Sequence, residues 1–107
     1  MVFVELPIFI CCATELFSDD DLAELQGMLL EKPNAGDLIP GGRGLRKLRV
    51  PLPGRGKRGG ARVIDYHWAS KAQCYLIYAY AKNVAANLTQ EQLHRLADVI
   101  DVEVKNG

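Results

Sequence analysis

Long apolar runs are missing from this chain. Its uninterrupted apolar stretches are short, Phe9 to Ala13 being typical, against the about 20 residues that a bilayer-spanning helix needs. No membrane segment is therefore expected. A basic start is missing as well: Met1-Val2-Phe3-Val4-Glu5 has neither the charge nor the apolar stretch of a secretion signal, so a cytoplasmic protein is expected. Cysteine is scarce. Cys11, Cys12 and Cys74 are odd in number and lack CxxC spacing, which fits reduced thiols better than a disulfide framework or a zinc site. A metal centre joining them to His67 or His94 is the weaker alternative, and neither metal nor cofactor is called for.

Negative charge is absent from one long stretch. Between Leu38 and Ile64 there is no acidic residue, while Arg43, Arg46, Lys47, Arg49, Arg55, Lys57, Arg58 and Arg62 gather there, eight of the thirteen basic residues. The formal net charge is zero, and residues 1 to 37 hold eight carboxylates against Lys32 alone. Such a chain is an electrostatic dipole. A concentrated positive patch on a neutral protein raises the potential where a polyanion docks without making the whole surface adhesive. A solvated charged loop is the bland alternative; the patterning described next argues against it.

With 107 residues, 49% of them apolar, the chain suits one compact domain over 1–107 with a modest core. Val2 to Ile10 is rich in β-branched and aromatic residues and reads as a first strand, with Pro7 marking it as an edge or bulged strand. Ser18 predicts a helix start: it caps free amides, Asp19 to Asp21 complement the positive helix end, and Phe17 packs on Leu22 as a staple. Leu22, Leu25, Met28 and Leu29 form its apolar stripe until Pro33.

Glycines and Pro40 between residues 36 and 44 lead into Leu45 to Val50, where alternation sets Leu48 and Val50 on one face and Lys47 and Arg49 on the other. Pro51 to Gly60 reads as a loop, Ala61 to Trp68 and Gln73 to about Ala81 as strands. The last is apolar on both faces, Leu76 with Tyr78 and Tyr75 with Ile77, as in a covered central strand. Thr89 with Gln92 spells a capping box, Leu88 and Leu93 its staple, and Leu93, Leu96, Ala97 and Ile100 recur at helical spacing. The expected fold is α+β: a small antiparallel sheet of about four strands, an N-terminal helix packed on it, and a C-terminal helix.

If the strands form a meander, Lys47, Arg49, Arg62 and Lys82 line one face. Such a cluster suits a phosphodiester. RNA cleavage requires deprotonation of a ribose 2′-hydroxyl, stabilisation of the phosphorane and protonation of the leaving 5′-oxygen, and positioned Arg and Lys supply the charge. Arg46, Arg55, Lys57 and Arg58 add phosphate contacts, and Tyr66 and Tyr80, with Trp68 and Tyr78, offer stacking surface, although amphipathic aromatics are more often core. Gly54-x-Gly56-x-x-Gly59 imitates a dinucleotide fingerprint in letters only, because prolines precede it and a strand follows. His67 and His94 have no Ser or Cys partner at a recognisable spacing.

Gly44-Leu45-Arg46-Lys47-Leu48-Arg49, Gly59-Gly60-Ala61-Arg62-Val63-Ile64 and Tyr78-Ala79-Tyr80-Ala81-Lys82-Asn83 followed by Leu88-Thr89 resemble the RelE/ParE superfamily of toxins, most closely its HigB-like branch. Pro7-Ile8-Phe9 and Ile39-Pro40-Gly41 extend the likeness over nearly the whole chain. The resemblance implies a metal-independent, ribosome-dependent mRNA endonuclease that inhibits translation. It also implies a cognate antitoxin, often of helix-turn-helix type, through which alone the protein would meet DNA. By motif position Lys47, Arg49, Arg62 and Lys82 fall on the catalytic basic positions. The chain departs from some members in having Asn83 after Lys82 and no aromatic beyond Tyr80. A non-catalytic alternative stays open, a ParE-like gyrase poison or an antitoxin-binding relic.

Overall fold

The computed structural model describes residues 1–52, 60–82 and 88–106. The loop expected over Pro51 to Gly60, with Arg55, Lys57 and Arg58, lies mostly outside the described residues. The elements in chain order are β1 (Val2–Glu5), α1 (Pro7–Leu16), α2 (Asp19–Glu31), β2 (Asp37–Leu38), β3 (Arg46–Val50), β4 (Ala61–Trp68), a 3-10 turn (Ala69–Lys71), β5 (Gln73–Ala81) and α3 (Gln90–Asn106). One five-stranded sheet has the order β1-β5-β4-β3-β2. The strands β3, β4 and β5 form the expected antiparallel meander, whereas β1 runs parallel to β5 along its far side. No helix among the described residues is long and apolar enough to cross a membrane.

The first segment corrects the sequence reading. The strand stops at Glu5, and Pro7 opens a helix in place of bulging a strand. Proline has no N–H to leave unsatisfied and its fixed φ suits a first helical turn, while the residue before it is driven to extended backbone. Leu6 duly sits at φ −72, ψ 152. Cys11 and Cys12 consequently lie on a helix.

The other helices begin where their caps predict. Ser18 Oγ accepts from the Asp21 amide at 3.2 Å and the Asp21 carboxylate accepts from the Ser18 amide at 2.9 Å. Thr89 and Gln92 make the same reciprocal pair at 2.9 and 3.1 Å. Each cap is worth about 1 kcal/mol.

Two apolar clusters sandwich the sheet. On one side Phe9 and Ala13 of α1 and Leu25 and Leu29 of α2 pack against Leu48, Val50, Val63, Leu76 and Ala79. On the other, Leu93, Leu96, Ala97 and Ile100 of α3 cover Leu45, Ile64, Tyr75, Ile77 and Tyr80. Fully burying each large aliphatic contributes about 1.5–3 kcal/mol, which is why α3 stays on the sheet despite its polar outer face.

A bulge divides β5. Ile64 pairs with Tyr78 but Asp65 pairs with Leu76, so Ile77 is the extra residue. A one-residue slip exchanges the faces of everything beyond it. Leu76 and Tyr78, expected on one face, therefore face opposite sides, and Tyr78 and Tyr80 join the α3 side.

Candidate functional site

The register assembles cations from neighbouring strands. Arg49 is the direct partner of Arg62, and Lys47 that of Ile64, so Lys47, Arg49 and Arg62 share the α3 face of the sheet while Leu48 and Val50 lie beneath α1 and α2. Residues two apart on a strand are about 6.5 Å apart, and direct cross-strand partners about 5 Å. Three positive side chains thus start within reach of a single phosphate. Lys82 follows β5 directly, two residues beyond Tyr80, the partner of Arg62, and its amide still donates to the Gly60 carbonyl at 3.0 Å. Asp37, just outside the acid-free run, stands opposite Lys47 on β2.

Only glycine closes this corner. Gly60 has φ +69, and a Cβ there would lie 2.3 Å from the Val50 carbonyl oxygen. The side-chain-free position lets the chain return from β3 to β4 at the spacing that sets Arg62 against Arg49.

Beside the cations lies a cavity of about 350 Å³, lined by Lys47, Ile64 and Tyr80 of the sheet, Ile39 and Pro40 of the connector, Leu88 just before α3, and Gln90 and Leu93 at its start. Tyr80 is buried at 7% exposure. Its hydroxyl finds no hydrogen-bond partner among the described residues. Burial pushes the phenol above its ordinary pKa, against the pull of the neighbouring Arg62 charge, so it stays a protonated donor.

The remaining sequence candidates are placed elsewhere. Arg46 lies on the other face, across from Asp65, and donates to the Gly36 carbonyl at 2.9 Å, a structural tie. Tyr66 is half-buried, its ring 6.4 Å from that of Tyr75 and close against Gly44. His67 contacts Asn34 at 3.3 Å, and His94 is exposed on α3. Cys74 is buried next to Asp65; burial, with Asp65 adding, pushes its thiol up to about 12, which leaves it inert as a nucleophile. Among the described residues no three His, Cys, Asp or Glu side chains gather as a metal site.

Sequence patterning missed the cavity and Arg43. In left-handed backbone at φ 52, Arg43 reaches from the connector to α3, pairing with Asp98 at 2.8 Å and Asp101 at 2.7 Å and donating to the His94 carbonyl. No periodicity marks such a contact across 50 or more positions.

A family model described as the RelE toxin of the RelE / RelB toxin-antitoxin system matches residues 16–103. Among solved structures, the chain is similar to a double arginine-to-alanine mutant of the E. coli toxin RelE in the free state, with 14% identity, a TM-score of 0.53, and coverage of 90% of this chain and 92% of that one. At that identity the likeness concerns the fold.

Proposed function

The chain belongs to the RelE family of toxins from toxin-antitoxin systems, and from that premise we propose that it is an endoribonuclease cutting messenger RNA on the ribosome. The observation that carries this reading is the Arg49–Arg62 pair with Lys47 on the same sheet face. In the proposed reaction the ribose 2′-hydroxyl attacks the adjacent phosphorus in line. The phosphorane then expels the 5′-oxygen, leaving a 2′,3′-cyclic phosphate and a 5′-hydroxyl end. Arg49 and Arg62 hold the non-bridging oxygens as negative charge builds, a preorganised stabilisation that water supplies poorly. Arginine does not release its proton in a protein, so the proton transfers fall to Lys47 and Lys82. Arg55, Lys57 and Arg58 serve the reading as sequence-independent contacts to ribosomal RNA.

The partners proposed are the ribosome with its mRNA in the cytoplasm and a cognate antitoxin of helix-turn-helix type, in keeping with the HigB-like likeness of the basic segments. The test is Arg62→Ala. Mapping mRNA 5′ ends after induced expression should show new cuts for the wild type and a loss of about a hundredfold or more for the variant, with ribosome binding reduced far less. Growth arrest by the wild type without cut mRNA would overturn this reading, and cleaved DNA held by gyrase would then establish the poison alternative.

A further inference from the structure

Exposed apolar residues are not scattered evenly over this molecule. Among the described residues eight large apolar side chains are exposed, and six of them, Met1, Val2, Ile8, Ile10, Val99 and Val102, belong to the N-terminus with β1, the start of α1 and the second half of α3. Apolar groups gathered in this way on a small protein mark a contact surface.

The surface surrounds an open strand edge. β1 is the terminal strand of the sheet, and no described strand pairs its other side. The Val2 amide donates to the Ala72 carbonyl and the Leu6 amide to the Leu76 carbonyl, so backbone alternation turns the N–H and C=O groups of Phe3 and Glu5 outward. Such an edge is a template for another strand.

Exposed groups flank the edge on both faces of the sheet. On the α1 and α2 side, Ile10 and Thr14 share a cavity of about 230 Å³ with Glu5. On the α3 side, Gln92, Arg95 and Leu96 share another, of about 180 Å³, with Ile8 and Tyr78. Val99 follows Arg95 and Leu96 by one turn on the same flank of the helix, while Arg43 ties the opposite flank to the connector through Asp98 and Asp101. α3 therefore turns Val99 toward the β1 side.

We propose that this edge pairs with a second copy of the chain. What selects a second copy is twofold complementarity. When two β1 strands pair antiparallel about Val4, Phe3 of each copy exchanges both backbone bonds with Glu5 of the other, and the two Glu5 carboxylates stay about 13 Å apart. The same axis sets the two α3 helices antiparallel. Packed about Val99, each helix places Arg95, four residues before the centre, against Glu103 of the other, four residues after it. Opposite charges thus meet twice around an apolar middle. A single added strand from another protein would cover the edge and leave Val99, Val102 and these charges bare. Lys47, Arg49 and Arg62 sit on β3 and β4, across β5 from this edge, so the dimer leaves them open and its test does not depend on the nuclease reading.

Sedimentation equilibrium of the full chain from about 1 μM to 1 mM should show monomers in exchange with dimers. Arg95→Glu and Glu103→Arg should each weaken the dimer about tenfold or more, and the two together should restore it. Val99→Asp should abolish it. All three residues are exposed, so the variants keep the fold, which circular dichroism checks. Amide exchange at Phe3 and Glu5 should slow as the protein concentration rises. A monomer throughout overturns the proposal, and so does a dimer that ignores the charge swap or leaves the Phe3 and Glu5 amides unprotected.

Discussion

Arg49 and Arg62 stand directly opposite one another across the β3–β4 ladder, two like charges at the closest cross-strand position. Such a pair opposes folding by roughly 0.2–1 kcal/mol. A sheet that tolerates the arrangement has a use for the charge outside stability, and an oxyanion bound between the two guanidinium groups would relieve the repulsion.

Replacing Arg49 by Gln should therefore stabilise the free protein by a few tenths of a kcal/mol, up to about 1, while cleavage falls by about a hundredfold. Urea midpoints and cleavage rates measured on the same preparation check this. A variant that loses both stability and activity would instead make Arg49 a structural residue.

Asp65 gives the stability a distinctive pH dependence. It is fully buried, its Oδ1 has no partner among the described residues, and its Oδ2 receives the Cys74 thiol at 3.8 Å. Burial raises its pKa from 3.8 to about 7, against the smaller lowering effects of Cys74 and Arg46. Below pH 4 the carboxyl is neutral in both folded and unfolded chains. Between pH 4 and 7 only the folded chain keeps the proton, so the stabilisation is lost progressively as pH rises from 4 toward 7 and the loss levels off above 7, on the order of 4 kcal/mol in all. The difference in unfolding free energy between Asp65→Asn and wild type should accordingly grow in favour of Asn from pH 4.5 to 7.5. Chemical denaturation across that range measures it, and a pH-independent difference would disprove the assignment.

Arg43 should govern how firmly α3 is held. Its pairs with Asp98 and Asp101 are exposed, and exposed pairs weaken as salt screens them. Arg43→Ala should speed amide hydrogen exchange in α3 around Leu93 to Ile100 at low salt, and the gap from wild type should narrow at high salt. Exchange unaffected by the substitution would show that apolar packing alone holds the helix.

Gly60→Ala tests the corner between β3 and β4. The added methyl meets the Val50 carbonyl and the backbone conformation is left-handed, so a loss of about 1–3 kcal/mol is expected. Because the same change disturbs the Gly60–Lys82 bond, cleavage should fall beyond what the unfolded fraction explains. Thermal unfolding with activity normalised to folded protein separates the two effects.

Much of this architecture was legible in local patterns. The caps at Ser18 and Thr89, the stripe of α2, the two-residue period of Leu45 to Val50 and the basic run from Arg43 to Arg62 each depend on neighbours within a few positions, and side-chain alternation or helical spacing follows directly from backbone geometry. Pro7 was ambiguous because the same ring that spoils a strand suits a first helical turn, and only the packing of Phe9 and Ala13 against the sheet selects the helix. The parallel pairing of β1 with β5 and the short β2 strand depend on partners far away in the chain. So does the bulge at Ile77, which decides that Tyr80 joins the face of Lys47, Arg49 and Arg62. The sequence thus determined which residues carry charge and on which side of their own strand they lie. Tertiary structure decided which strands meet, which hydroxyl is left unpaired among the described residues and where a cavity opens, because those outcomes are set by contacts between distant segments.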